Sequence, residues 1–305
     1  MEKSQRELLN KIADITDFPD GAYNIRVDGG SIGFQSTENI TIIPRPDKCG
    51  LEVHIKAGTK NETVHIPVII EQSGLKEVVY NDFYVGEDAD VIIIAGCGIH
   101  NDSHSPSEHD GIHSFYLEKN ARLKYTEKHY GSGSDNSDRI FNPTTNVSLK
   151  EGSYMEIDTV QIKGVTDTKR ITKATILDNA SLVAHEKLMT DLEQFAHSEY
   201  IVDLKGENSG THVVSRSVAK GNSKQVFVSN IEGNNKCSGH SECDAIIMDN
   251  SVVRAIPEIT ANHIDASLIH EAAIGKIAGE QIVKLMTLGL TESEAEQEII
   301  NGFLK

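Results

Sequence analysis

The stretch Cys237-Ser238-Gly239-His240-Ser241-Glu242-Cys243-Asp244 brackets one imidazole with two thiols, a C-x2-H-x2-C arrangement. Thiolate and imidazole together suit iron, zinc or copper(I), and thiolate is the usual ligand of iron–sulfur clusters. Cys243 stands at the head of the strand-like Ala245-Ile246-Ile247-Met248, where neighbours alternate faces, so it shares a face with Ala245. An isolated Cys in that position reads as a small buried hydrophobe. The adjacent Cys237 and His240 favour ligation instead. A second group comprises Cys97, His100, His104, His109 and His113, five potential ligands within 17 residues. Ser103, Ser105, Pro106 and Ser107 mark its middle as a loop. Imidazoles gathered on a loop suggest a second metal site, and the reagent of a metal-dependent enzyme there would be water activated on zinc or iron. The group has one Cys and matches no structural zinc spacing, and its plain alternative is a polar loop with unused His. His263 and His270 lie seven residues apart, about two helical turns. His270-Glu271 by itself reads as a solvated or capping pair.

The elements that must hold these groups follow from composition and period. The chain has 305 residues, with 29 Lys plus Arg against 46 Asp plus Glu, a formal charge of −17. That balance argues against nucleic-acid binding, which needs clustered Lys and Arg, and disfavours docking on anionic membranes. Apolar residues make up 38 %, aromatics 5 %, and Trp is absent. The core must then be Ile, Val, Leu and Ala, which suits a thin, extended, turn-rich architecture. No apolar run approaches the roughly 20 residues of a membrane span. The N-terminal segment lacks the h-region of a signal peptide, and four Cys do not make a disulfide framework. These features predict a cytoplasmic protein with reduced thiols.

Three regions separate by pattern. Leu8, Leu9, Ile12 and Ile15 predict an amphipathic helix over residues 1–18. Residues 19–257 carry short alternating segments such as Leu51-Glu52-Val53-His54-Ile55, punctuated by Gly, Asn and Asp. Within them, Leu117–Leu123, Leu149–Met155, Ile176–Leu182 and Ile247–Val253 share an apolar–turn–small–apolar pattern, the first three starts falling 32 and 27 residues apart. The repeat fits a coil that turns at one corner on successive passes; hairpin turns in a sandwich fit as well. From 258 the period reads as helical. Leu268, Ala272, Ile274, Ile277, Ile282, Leu285 and Met286 trace one stripe, Gly289 is a stop, and Thr291-Glu292-Ser293-Glu294 is a capping box for a second helix. So short a pair must pack on the β body, on a partner, or on both.

The C-terminal residues also resemble the signature of the SufB/SufD family of iron–sulfur cluster assembly scaffolds. The matching residues are His270-Glu271-Ala272-Ala273-Ile274-Gly275-Lys276-Ile277, Glu280-Gln281, Leu285 to Thr291, Glu294-Ala295 and Gly302-Phe303-Leu304. Cys243-Asp244 before Ala245-Ile246-Ile247 resembles the family's Cys-Asp-small-apolar strand. The resemblance covers roughly residues 80–305. It implies a mainly β fold, a right-handed parallel β-helix (solenoid) core with a short N-terminal helix and a C-terminal helical pair. It implies that the C-terminal region, 258–305, docks on an ABC-type ATPase of SufC kind, here through Ile282, Leu285, Met286 and Leu290. It further implies dimerisation through the β-helix ends, with a nascent, transient Fe–S cluster or its iron held at that interface. The B-type subunit's Cys falls on Cys243 and its Glu on Glu271; the D-type subunit's His falls on His270. Cys237 and His240 are additional candidate ligands. Having all three, the chain resembles a short B-like scaffold able to act as a homodimer or with a related subunit, and not an enzyme with turnover of its own. ATP hydrolysis would lie in the partner, since no G-x4-G-K-[ST] loop is present. Two departures stand out. Leu288 occupies the place of the family's Arg before Gly289, and the Cys97–His113 group has no counterpart in the aligned pattern. Two alternatives remain at this level, a metal-dependent enzyme built on the Cys97–His113 loop and a non-metal interaction partner of the ATPase. Flavin involvement is undetermined.

Overall fold

The computed structural model describes residues 1–134 and 136–305. The chain is mainly β, 59 % strand, wound into a β-solenoid of about eight turns with one short N-terminal and two C-terminal helices. After helix α1 (Lys3–Ala13) come β1 (Ala22–Val27), β2 (Gly30–Gln35), β3 (Ile40–Pro44), β4 (Gly50–Ile55), β5 (Lys60–Ile70), β6 (Lys76–Val85) and β7 (Asp90–Asn101). Then follow β8 (Ser107–Leu117), β9 (Arg122–Gly133), β10 (Arg139–Phe141), β11 (Thr144–Leu149), β12 (Tyr154–Lys163), β13 (Asp167–Ile176) and β14 (Ser181–Thr190). The coil ends with β15 (Phe195–Leu204), β16 (Ser209–Ala219), β17 (Lys224–Gly233), β18 (Cys237–Ile247), β19 (Val252–Ala261) and β20 (Ser267–Gly275), before α2 (Gly279–Met286) and α3 (Glu292–Phe303). Among the described residues no helix is long and apolar enough to cross a membrane.

Two sheets form the walls. One runs β2-β1-β5-β7-β9-β12-β14-β16-β18-β20; the other runs β19-β17-β15-β13-β10-β8-β6-β4-β3, with β11 joining β13 and β8. Strands two apart in sequence pair in parallel, as a coil requires and a hairpin sandwich does not. Antiparallel pairs close only the N-terminal end, β1 with β2 and β3 with β4. Alternation does the sorting: β14 buries Leu182, Ala184 and Leu188 and turns Val183 and His185 outward. The main apolar core is largely aliphatic, with a stacked ring pair at Phe83–Phe115 (4.6 Å) and a tilted pair at Phe115–Tyr125 (4.8 Å).

The sequence repeat marks the corners. Asn120, Gly152 and Asn179, the fourth residue of the first three repeats, take φ of +55°, +69° and +55°. The fourth repeat puts this left-handed residue one place earlier, at Asp249. Asn and Gly tolerate that conformation because the polar side chain bonds locally or Cβ is missing. The corners also bond to one another, as where Asn120 Nδ2 donates to Asp88 Oδ1 at 3.1 Å.

Helix α1 buries Leu8, Leu9, Ile12 and Ala13 against the outer face of β5, β7 and β9. Gly96 permits the contact, since a Cβ there would stand 2.2 Å from Ile12 O. The expectation of helix from residue 258 is wrong. β19 runs to Ala261 and β20 occupies Ser267–Gly275, so helix begins only at Gly279. Leu268, Ala272 and Ile274 are all even-numbered, and such a stripe satisfies a period of two as well as 3.6. His263 and His270 are accordingly not two turns of one helix; His270 lies on β20. The capping box of α3 is present, with Glu294 N donating to Thr291 Oγ1 at 3.3 Å and Thr291 N to Glu294 Oε2 at 2.8 Å. Helix α3 packs Ile300 and Leu304 against Val218, with Met189, Ile246 and Met248 around them. Helix α2 buries no residue completely.

Candidate functional site

Strands β18 and β20 pair in register, Ser241 beside His270, Glu242 beside Glu271 and Cys243 beside Ala272. Alternation then divides the expected ligands between two faces. Cys237, Ser241 and Cys243 point inward, as does His270 on the exposed last strand, whereas His240, Glu242 and Glu271 point outward. The C-x2-H-x2-C spacing therefore does not form one cluster. Three residues along a strand reverse the face, and Cys237 and Cys243, six apart, stand about 20 Å from each other. Nor do Cys243, His270 and Glu271 converge within a single chain. Burial, with the charges of Glu186 and Asp244 added, pushes the Cys243 thiol up to about 12. Ser241 Oγ and His270 Nδ1 have no hydrogen-bond partner, and desolvation, then nearby His240, lowers the His270 pKa and favours its neutral, ligating form. Outside, His240 Nε2 lies 2.7 Å from Glu271 Oε1 without hydrogen-bond alignment. The His240 ring stacks on His212 at 4.9 Å.

The Cys97–His113 group is not a loop site. Cys97 lies on β7, and His109 and His113 lie on β8, all three inside the coil. His100 faces outward, bonded to Ser132 Oγ at 3.0 Å and Asp102 Oδ2 at 3.1 Å, and His104 is an exposed residue of the connecting loop. The residue that sequence spacing missed is His129 on β9, paired with Cys97 in register. Only solenoid stacking, 32 residues further along the chain, brings it there. Around this core, His109 Nδ1 contacts Glu77 Oε1 at 3.0 Å, and Arg26 lies 3.3 Å from the same carboxylate's Oε2. Burial alone would raise the Cys97 pKa, but the charges and hydrogen bonds of His109 and His129 lower it. Against the same burial, Cys97 and then Glu77 raise His109 to about 10, so each member of the pair favours the charged form of the other. Desolvation lowers His113 to about 4 and leaves it neutral.

A file of buried polar groups joins the two ends. Arg170 pairs with Glu127 and lies 3.8 Å from Glu186 and 3.3 Å from His129 Nδ1. Glu186 accepts from Ser198 Oγ at 2.5 Å and Ser215 Oγ at 2.8 Å, and Ser215 is paired with Cys243. Despite burial, Arg170 holds the Glu127 carboxyl well below the usual range.

On the outer face, the strands and Lys305 bound a groove of about 490 Å³ lined by Asp158, His185, His212, Arg216, Glu242 and Lys305. At its side Glu156, Asp158 and His185 bring three ligand atoms within 4.8 Å of one another, the one such trio among the described residues. Lys124 Nζ already lies 2.6 Å from Glu156 and 2.9 Å from Asp158, so an ammonium fills the place a cation would take.

Residues 72–303 match the family model described as SUF system FeS cluster assembly, SufBD core domain. An iron–sulfur cluster assembly SufBD family protein of Archaeoglobus fulgidus is 33 % identical over 238 residues, covering 75 % of this chain and 61 % of that protein. One from Methanocaldococcus jannaschii is 28 % identical over 278 residues, covering 90 % and 87 %. One from Methanothermobacter thermautotrophicus is 28 % identical over 242 residues, covering 78 % and 57 %. The chain thus spans about three fifths of the length of two of these relatives and most of the third. With a solenoid core, a buried thiol near its open end and a family match across most of its length, the chain belongs to the SufBD family of iron–sulfur cluster assembly proteins.

Proposed function

We propose that this chain is a scaffold subunit for iron–sulfur cluster assembly that works with an ABC-type ATPase and holds a nascent cluster where two scaffold chains meet. The observation that carries this reading is the open C-terminal end of the coil. β19 and β20 are the last strands of their sheets, and each has an unpaired edge. Such edges template pairing with another chain. His270 and Glu271 lie on that edge strand, and Cys243 lies one strand inward. Within one chain these donors are split between faces, so a second chain supplying its own imidazole or carboxylate would complete a mixed S, N and O set. Mixed ligation holds a cluster less firmly than four thiolates, which suits a site that gives its cluster away. The iron and sulfide are cargo on this reading, and ATP hydrolysis belongs to the partner.

Helix α2 supports the docking half of the proposal. Ile282, Leu285 and Leu290 are half-buried, while Met286, Val283 and Leu288 are exposed, Leu288 to 76 %. An apolar helix face left bare by its own body fits an amphipathic groove on a partner. The metalloenzyme reading loses ground because Cys97, His109 and His113 are enclosed in the coil and do not meet substrate on a loop.

Anaerobic reconstitution with iron and sulfide, with and without an ABC ATPase, tests the proposal. The wild-type chain should develop an iron–sulfur chromophore, and Cys243→Ser or Glu271→Gln should slow it at least several-fold. A Cys243→Ser chain that assembles the same chromophore at the wild-type rate would overturn the role of Cys243. ATPase co-purification with no iron or sulfide uptake would leave only the interaction partner.

A further inference from the structure

Cys97, His109, His113 and His129 are 5 %, 3 %, 4 % and 4 % exposed, and the scaffold reading uses none of them. Enclosing three imidazoles and a thiol inside the coil carries a desolvation cost that an apolar core avoids. Several contacts turn them toward one another. Cys97 and His129 are register partners on neighbouring strands and both lie on the inward face. Gly111 lies on the same inward face between His109 and His113. A methyl on Gly111 would stand 2.7 Å from His113 Nε2 and 3.5 Å from His109 Nε2, so both nitrogens lean over bare backbone. Glu77 holds His109 through Nδ1 at 3.0 Å, the carboxylate–imidazole pairing that orients metal-binding His and leaves Nε2 to the ion. His113 Nδ1 is buried without a partner.

We propose that Cys97, His109 and His129, with His113 as fourth donor, form a buried site for one divalent transition-metal ion, separate from the Cys243 end of the coil. One thiolate with two or three imidazoles suits zinc or ferrous iron and is wrong for magnesium or calcium, which take oxygen. Among the described residues no three of these donor atoms lie within 4.8 Å of one another, so coordination requires the side chains to move. Side-chain rotation closes the site, over the space that Gly111 keeps clear. Coordination through His129 Nε2 would take that nitrogen from Glu127 Oε1, 3.6 Å away, while Arg170 keeps its pairing with Glu127 and its place 3.8 Å from Glu186. The outer trio of Glu156, Asp158 and His185 is the competing site, but Lys124 already neutralises it.

The test is cobalt(II) loading of the intact chain in the absence of iron and sulfide. That condition keeps its failure distinct from failure of the scaffold reading. The wild type should bind roughly one cobalt per chain, with a thiolate-to-cobalt charge-transfer band and the intense visible bands of a tetrahedral ion. Cys97→Ala should lose the charge-transfer band, and His129→Gln should weaken binding. Cys243→Ser and Asp158→Asn should keep the spectrum. Glu77→Gln, which preserves side-chain volume, should reduce affinity by about 10–100-fold while leaving the band position unchanged. A wild-type spectrum without a thiolate–cobalt band overturns the site, as does a band that survives Cys97→Ala or vanishes in Cys243→Ser. Should Cys97→Ala fail to fold by circular dichroism, an unchanged affinity in Glu77→Gln and His129→Gln overturns it instead.

Discussion

Two thiols in one interior have opposite chemistry. Cys97 is held between imidazoles that favour thiolate, whereas Cys243 has carboxylates for neighbours and stays protonated up to about 12. With the other cysteines replaced by Ala, the ultraviolet absorbance of thiolate should show a Cys97-only chain titrating below the ordinary range and a Cys243-only chain well above it. Equal titration of the two would contradict this arrangement. The Arg170–Glu127 pair is the other residue-scale feature, and removing one partner leaves a buried charge unpaired. Glu127→Gln should therefore destabilise the chain by about 3–5 kcal/mol. The folded pKa of Glu127 is depressed, so its contribution is present above the ordinary carboxylate range and is lost as pH falls through its folded value. The stability difference between wild type and Glu127→Gln should accordingly shrink in acid; a difference that grew would contradict the pairing.

At the scale of elements, corners and close approaches set the strain. Most corner residues in the left-handed region are Asn, Asp or Gly, but Leu192 takes φ of +55° with its side chain 60 % exposed. A left-handed conformation costs an ordinary L-residue roughly 1–2 kcal/mol, so Leu192→Asn should stabilise the chain by about 1 kcal/mol. A thermal melt should move up by roughly 2 °C. The N-terminal helix is sensitive in the other direction. Gly96→Val would drive side-chain atoms into Ile12 O and should cost about 1–3 kcal/mol as α1 lifts from β7. Protease nicking within the first 20 residues would report that release, and unchanged protection would show that the approach is not tight.

For the whole molecule the two ends of the coil differ in kind. Antiparallel strands β2 and β3 terminate the N-terminal end, while β19 and β20 leave parallel edges open beside Ile264 and Ile269, 95 % and 55 % exposed. Exposed apolar side chains on an uncovered edge fit association with another copy or a related chain. The double substitution Ile264→Lys and Ile269→Lys should shift light-scattering mass to that of a single chain with little change in melting temperature. A wild-type chain already monomeric at micromolar concentration would remove the homodimeric form of the scaffold reading.

Sequence alone determined the β body with its recurrent corners, the N-terminal helix and α3, because period-two alternation, turn residues and a capping box are all local signals; those signals fit a sandwich as well as a coil, and only the family resemblance favoured the coil. Sequence also carried that resemblance, through residues contiguous in the C-terminal segment. Its local periods went wrong where one stripe satisfied both repeats, at Leu268, Ala272 and Ile274. The sites were less legible. A spacing of three between Cys237, His240 and Cys243 implies convergence on a loop or helix, but an extended strand sends alternate residues to opposite faces. His129 lies far from Cys97 in sequence, as Glu77 does from His109, and each pair meets only because each turn of the coil stacks on the last. Tertiary structure therefore decided which ligands share a space, because stacking parallel strands about 4.8 Å apart joins residues that local spacing cannot relate.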